Sequence, residues 1–84
     1  MQPITLDELK PGQSATVVKI SAAGPVRRRI LDMGLTTGTA VTTIRRAPLG
    51  DPIEFLVRGY SLSLRSNEAQ SVQVELAPEG LTPE

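Results

Sequence analysis

The stretch from Arg45 to Arg65, RRAPLGDPIEFLVRGYSLSLR, leaves this chain few folds to choose from. From Tyr60 to Arg65 the side chains alternate without a break. Tyr60, Leu62 and Leu64 fall on one face; Ser61, Ser63 and Arg65 fall on the other. A period of two marks a strand with one side buried. Ile53 to Arg58 reads as the strand before it, and Gly59 between the two gives the chain a place to turn or bulge. Upstream, Thr39 to Arg46 reads as a further strand. It is joined through APLGDP, where Gly50-Asp51 is the turn element and Pro48 and Pro52 bracket it. The segment is a β-meander, and no side chain on it is an evident catalyst.

The rest of the chain builds around this meander. Ser14 to Ile20 is rich in β-branched residues and reads as a strand. Val17, Val18 and Ile20 do not alternate, so the strand is either buried on both faces or bulged. VQVEL alternates again, with Val72, Val74 and Leu76 inward and Gln73 and Glu75 outward. GPVRRRILDMGL carries the clearest helix signal. Pro25 suits a first helical position, where its missing N–H would be unpaired anyway. Val26, Ile30 and Met33 share one face, and Gly34 followed by Leu35 matches a Schellman ending, so the helix is predicted over Pro25 to Met33. In TLDELKPG, Thr5 and Glu8 have capping-box spacing, Leu6 and Leu9 share a face, and Pro11-Gly12 stops the turn. This turn is expected to plug one end of the fold. SNEAQ is expected to form a helical turn with Ser66 or Asn67 as N-cap.

Five short strands and a few single-turn helices define an all-β chain, mainly β with short helices, bent into a small antiparallel β-barrel. Closing the sheet is expected to hide most of its edges. Phe55 and Tyr60 are the only aromatic residues, so the core has to be aliphatic. The chain has 84 residues, enough for one core. The domain is expected over 1–76. APEGLTPE, residues 77–84, has no periodicity and is expected to be a disordered tail.

Composition excludes several functions. Nine basic and nine acidic side chains cancel, so bulk attraction to nucleic acid or to an anionic membrane is not expected. There is no cysteine and no histidine. A disulfide framework, a thiol nucleophile and a zinc–thiolate site are therefore excluded, as is the commonest general base. Serines and threonines are plentiful, but nothing is present to activate them, so the chain is read as a non-enzyme with no cofactor. Asp32, Asp51, Glu54 and Glu68 are scattered over different elements and carry no histidine beside them, so no specific iron site is expected. No apolar run approaches the ~20 residues that span a bilayer. MQPITLDELK has no apolar signal-peptide core, and the expected location is inside the cell.

The ordered series LDELKPGQSATVVKI, RRRILDMGLTTGTAV and RRAPLGDPIEFLVRGYSLSLRSNEA resembles the ferrous iron transport protein A (FeoA) family, over about residues 5 to 76. LDMGLTTGT and APLGDPIEFLVRGYSLSLR are its specific part. Thr37 departs from the proline that the family often places before the glycine. The resemblance implies an SH3-like barrel and a cytoplasmic location. It also implies a supporting role in ferrous iron uptake beside a large membrane partner, FeoB, which carries a cytosolic G-domain and a transmembrane iron path. The alternative is a free-standing SH3-like regulatory domain of the metal-dependent transcription regulator type. Such a protein would carry an N-terminal helix-turn-helix, and this sequence shows none. Binding of proline-rich peptides needs an aromatic-lined groove, which two aromatic residues do not readily build. Arg27, Arg28 and Arg29 fan out around their helix and make no single phosphate-binding patch.

A contact surface remains to be found. Leu49 sits in a turn, where neither strand nor helix period gives it a core face. It is either tucked back on the barrel or an exposed anchor. With Arg45 and Arg46 beside it, and Arg27 and Arg28 on the helix as further candidates, it is the expected partner-binding site. Weak self-association is the other partnership left open; nucleic acid and direct membrane insertion are not expected.

Overall fold

The computed structural model describes residues 4–76. Residues 1–3 and the stretch 77–84, expected above to be a tail, lie outside them. The alternating segments pair into one antiparallel sheet of six strands: β1 (Ile4–Thr5), β2 (Ser14–Ile20), β3 (Ala40–Arg46), β4 (Ile53–Val57), β5 (Tyr60–Leu64) and β6 (Val72–Leu76). Their order is β1-β6-β2-β3-β4-β5, so the meander β3-β4-β5 forms one side of the sheet. A helix α1 (Gly24–Asp32) links β2 to β3, and a single turn α2 (Ser66–Ala69) links β5 to β6.

The sheet does not close, contrary to expectation. β1 and β5 are both edges. β1 contributes only two residues, which pair with β6 through Ile4–Val74 and Thr5–Gln73. So short a strand shows no period in the sequence and offers β5 no ladder to close onto. Curvature comes from two register shifts instead. One lies between Val17 and Lys19, so the strand whose alternation fails at Val18 is bulged. The other lies between Thr43 and Arg45, around Ile44. A bulge adds an unpaired residue and bends its strand, which wraps the sheet around its inner face.

That inner face is aliphatic apart from Phe55. Phe55, Ile53 and Val57 of β4, Val17 of β2, Val72 and Val74 of β6, and Leu64 of β5 are all fully buried. Each contributes roughly 1.5–3 kcal/mol by leaving water. The turn Leu6–Glu8 lays Leu6 and Leu9 over this core, both with no exposed surface. Glu8 reaches back to the Thr5 N–H at 3.1 Å and its hydroxyl at 2.8 Å, as the spacing predicts. Within the core the Thr43 hydroxyl is buried and, among the described residues, has no hydrogen-bond partner.

Helix α1 ends as the sequence indicates. Gly34 has φ +98°, its N–H reaches the Leu31 carbonyl at 3.0 Å, and the Leu35 N–H reaches Ile30 at 3.3 Å. This is the doubly bonded Schellman ending, and Leu35 is buried beneath it. The same glycine lets β5 come close. The Tyr60 hydroxyl donates to the Met33 carbonyl, and a Cβ on Gly34 would sit 2.5 Å from the Tyr60 hydroxyl oxygen. Ile30 is buried and Met33 packs against the core, but Val26 on the same face stays 43% exposed. The helix meets the sheet only with its second half.

Two further local expectations are corrected. The strand before Gly59 ends at Val57, because Arg58 also takes a positive φ, +52°, beside Gly59 at +87°. Two successive left-handed residues between paired Val57 and Tyr60 make a tight two-residue hairpin. In α2 the N-cap is Arg65, not Ser66 or Asn67. Its backbone N–H is taken by Glu68 at 3.0 Å, while Ser66 is satisfied from a distant loop.

Candidate partner-binding surface

The loop between β3 and β4 is held at several points. The Ala47 N–H reaches the Pro52 carbonyl at 3.0 Å, and the Gly50 N–H reaches Ala47 at 2.8 Å, so the chain turns tightly between them. Asp51 then accepts from the Ser66 N–H at 2.7 Å and from its hydroxyl at 3.0 Å, which ties the loop to the start of α2. Leu49 stands at the tip of this braced turn and is 96% exposed. Of the two readings the sequence left open, it is not tucked back on the core.

Arg45 and Arg46 line one hollow with Ala47, Pro48, Pro52 and Glu54. Arg45 Nε donates to Glu54 Oε1 at 2.8 Å, and its side chain stays 75% exposed. An ion pair so open to water contributes little to stability. Arg46 donates to the Asp7 carbonyl and so fastens β3 to the turn carrying Leu6. The structure thus groups Leu49, Arg45 and Arg46 at one end of the hairpin. Arg27 and Arg28 are exposed on α1, where they line a different hollow with Gly24, Leu31 and Asp32.

Sequence reasoning missed two tethers near these groups. Asp51 and Ser66 are 15 positions apart. Arg29 pairs with Glu68 across 39 positions and closes a third hollow, between α1 and α2. The sequence carries no local signal for either. These pairings engage three of the four scattered acids, Asp51, Glu54 and Glu68. Asp51 serves Ser66, Glu54 serves Arg45, and Glu68 serves Arg29 and the Arg65 N–H. Among the described residues no three of His, Cys, Asp and Glu come together as a metal-binding group. Glu8 is held below the ordinary glutamate pKa, first by the Thr5 hydroxyl and then by the Thr5 N–H. No helix among the described residues is long and apolar enough to cross a membrane.

The family model described as the FeoA domain matches residues 4–76, the whole of the described fold. The chain belongs to the FeoA family. It is 38% identical over 77 residues to the Fe(2+) transport protein A/Fe(2+) transporter FeoB fusion protein of Porphyromonas gingivalis. That alignment covers 92% of this chain and only 9% of the fusion protein's length. The FeoA-like protein from Clostridium acetobutylicum, solved by NMR, is 40% identical, with a TM-score of 0.87, over 99% of this chain and 96% of its own. The crystal structure of Stenotrophomonas maltophilia FeoA complexed with zinc, described as an SH3 domain protein, is 29% identical with a TM-score of 0.76. It aligns over 86% of this chain and 89% of that one. The FeoA fold here is accordingly SH3-like, with an open sheet. A manganese-dependent transcriptional repressor shares the fold at 23% identity, TM-score 0.83, over 92% of this chain and 38% of its own. At that identity only the fold is common.

Proposed function

We propose that this FeoA-family chain is a cytoplasmic, non-catalytic accessory protein that supports ferrous iron uptake by binding the cytosolic side of the transporter FeoB. The observation that carries this reading is the Porphyromonas fusion protein, whose name joins the two proteins in one chain and one of whose segments is 38% identical to this one. Covalent linkage keeps two binding partners at high effective concentration, and a contact between separate chains would serve the same end. The proposed contact is Leu49 with Arg45 and Arg46 around it, and Arg27 and Arg28 of α1 as a second point. An exposed apolar tip with arginines at the base of its loop suits a protein surface, since arginine is enriched where interfaces carry their energy. The braced loop supports this, because a backbone already held in place loses less freedom on binding.

The test is co-purification of FeoB with this chain from cells, paired with ferrous iron uptake in cells lacking it. The transporter is expected to co-purify, and uptake is expected to fall without the chain and return on its re-expression. Uptake unchanged by deletion, with no transporter recovered, would overturn the reading.

A further inference from the structure

We propose that the single turn α2 is a conformational coupler that ties helix α1 to the Leu49 loop, so that a change at Arg29 alters how firmly Leu49 is displayed. A turn of four residues has no stability of its own, because fixing the first turn costs more than its few bonds return. α2 therefore exists through what holds it. Its far end is anchored by Ala69, which has no exposed surface. Its start lies at the surface, where Arg65 and Asn67 are exposed. What can open is that start.

Two carboxylates hold adjacent amides there. Glu68 takes the Arg65 N–H at 3.0 Å, and Asp51 takes the Ser66 N–H at 2.7 Å. These are donors that a helix leaves without partners of its own. Each acid also engages a second element. Asp51 belongs to the β3–β4 loop that carries Leu49, and it takes the Ser66 hydroxyl as well, at 3.0 Å. The other carboxylate oxygen of Glu68 receives Arg29 of α1. An unbroken path of bonds thus runs from Arg29 through Glu68, the start of α2 and Asp51 to the loop.

The path has two arrangements, with the start of α2 wound or opened. Without Arg29, Glu68 is free to turn to water and the Arg65 N–H loses its acceptor. Opening then carries Ser66 away from Asp51 and removes a brace from the loop. The dependence runs both ways, since a coupling free energy is the same read from either end. Arg29 is also reachable. It lines the hollow between α1 and α2, and its side chain is 56% exposed. A carboxylate arriving from a partner can therefore compete with Glu68 for it and loosen the Leu49 tip. This use of the coupling rests on the contact surface proposed above; the coupling itself does not.

The experiment is NMR-detected amide exchange on the whole chain with no partner present. Arg29→Gln removes the charge and leaves the loop sequence untouched. It is expected to speed exchange at Arg65 and Ser66 and, by the same factor, at Ala47 and Gly50, whose N–H groups close the loop turn. One shared factor marks one shared opening. The factor is expected at about twofold to fivefold, because the coupling cannot exceed the worth of the solvent-open ion pair that drives it. Val17 and Gly38, bonded elsewhere in the fold, are expected to keep their rates. In the reverse direction Asp51→Ala is expected to free the Arg29 guanidinium, read as faster rotation of its terminal nitrogens, although among the described residues Asp51 bonds to Ser66 and not to α1. Unchanged exchange at Ala47 and Gly50 in Arg29→Gln, or an unchanged Arg29 side chain in Asp51→Ala, would overturn the proposal. So would equal acceleration at Val17 and Gly38, which would mark a loss of global stability. None of these readings depends on FeoB, so they stand apart from the co-purification test.

Discussion

The carboxylate of Asp51 takes both polar groups of Ser66, the N–H at 2.7 Å and the hydroxyl at 3.0 Å. One side chain in the β3–β4 loop thereby satisfies a helix-start donor that α2 leaves open and fixes the loop that displays Leu49. Asp51→Ala is expected to cost about 1–2 kcal/mol, as for loss of a helix cap. Ser66→Ala, which keeps the N–H bond, is expected to cost less. Urea unfolding midpoints of the two variants check the order.

Leu49→Asp separates display from stability. With 96% of the side chain in solvent, the change is expected to alter stability by about 0.5 kcal/mol or less. Under the proposed function it also abolishes co-purification with FeoB and the support of iron uptake. A stable and fully active variant would move the contact to Arg27 and Arg28.

The Arg58-Gly59 turn asks for two left-handed residues, and only one of them is glycine. Gly59→Val is expected to cost ~1–3 kcal/mol through backbone strain alone, since nothing lies within 4 Å of the added Cβ. Arg58→Asn relieves that strain but gives up the 3.2 Å bond from Arg58 to the Thr39 hydroxyl, so it is expected to change stability by less than Gly59→Val does. Melting temperatures of the two variants check the order.

Thr43 offers a stabilising change. Its hydroxyl is buried without a partner, so Thr43→Val removes a desolvated polar group and keeps the shape. A gain of about 1 kcal/mol, or roughly 4–8 °C in Tm, is expected by calorimetry. A loss would reveal a partner for the hydroxyl.

Glu8 gives the turn over the core a pH dependence. Its pKa is lowered in the folded chain, so the stability it contributes is complete above the unfolded glutamate value. That contribution fades as pH falls through the lowered folded value. The Thr5 amide resonance is expected to titrate with a midpoint below that of a free glutamate, and Glu8→Gln is expected to remove the transition.

Features carried by neighbouring residues were legible before any coordinates. The alternation of Leu62 and Leu64, the broken alternation around Val18 and the Gly34-Leu35 ending each depend on a few adjacent positions. Features that depend on distant positions were not. β1 has too few residues for a period, Asp51 meets Ser66 only across two intervening strands, and Val26 is exposed because only the later part of its helix face packs on the core. At the candidate site, the turn around Leu49 was readable from its prolines and glycine. Its exposure was not, since a single apolar residue in a turn can face either way.

Pairing of Ile4 with Val74 places the first and last described strands side by side at one border of the sheet. The polypeptide therefore enters and leaves the domain through the same doorway, while the β3–β4 loop and β5 lie toward the other border. Such a module can be spliced onto a longer protein, or tethered through a short leash at either end, without burying the surfaces it has to show.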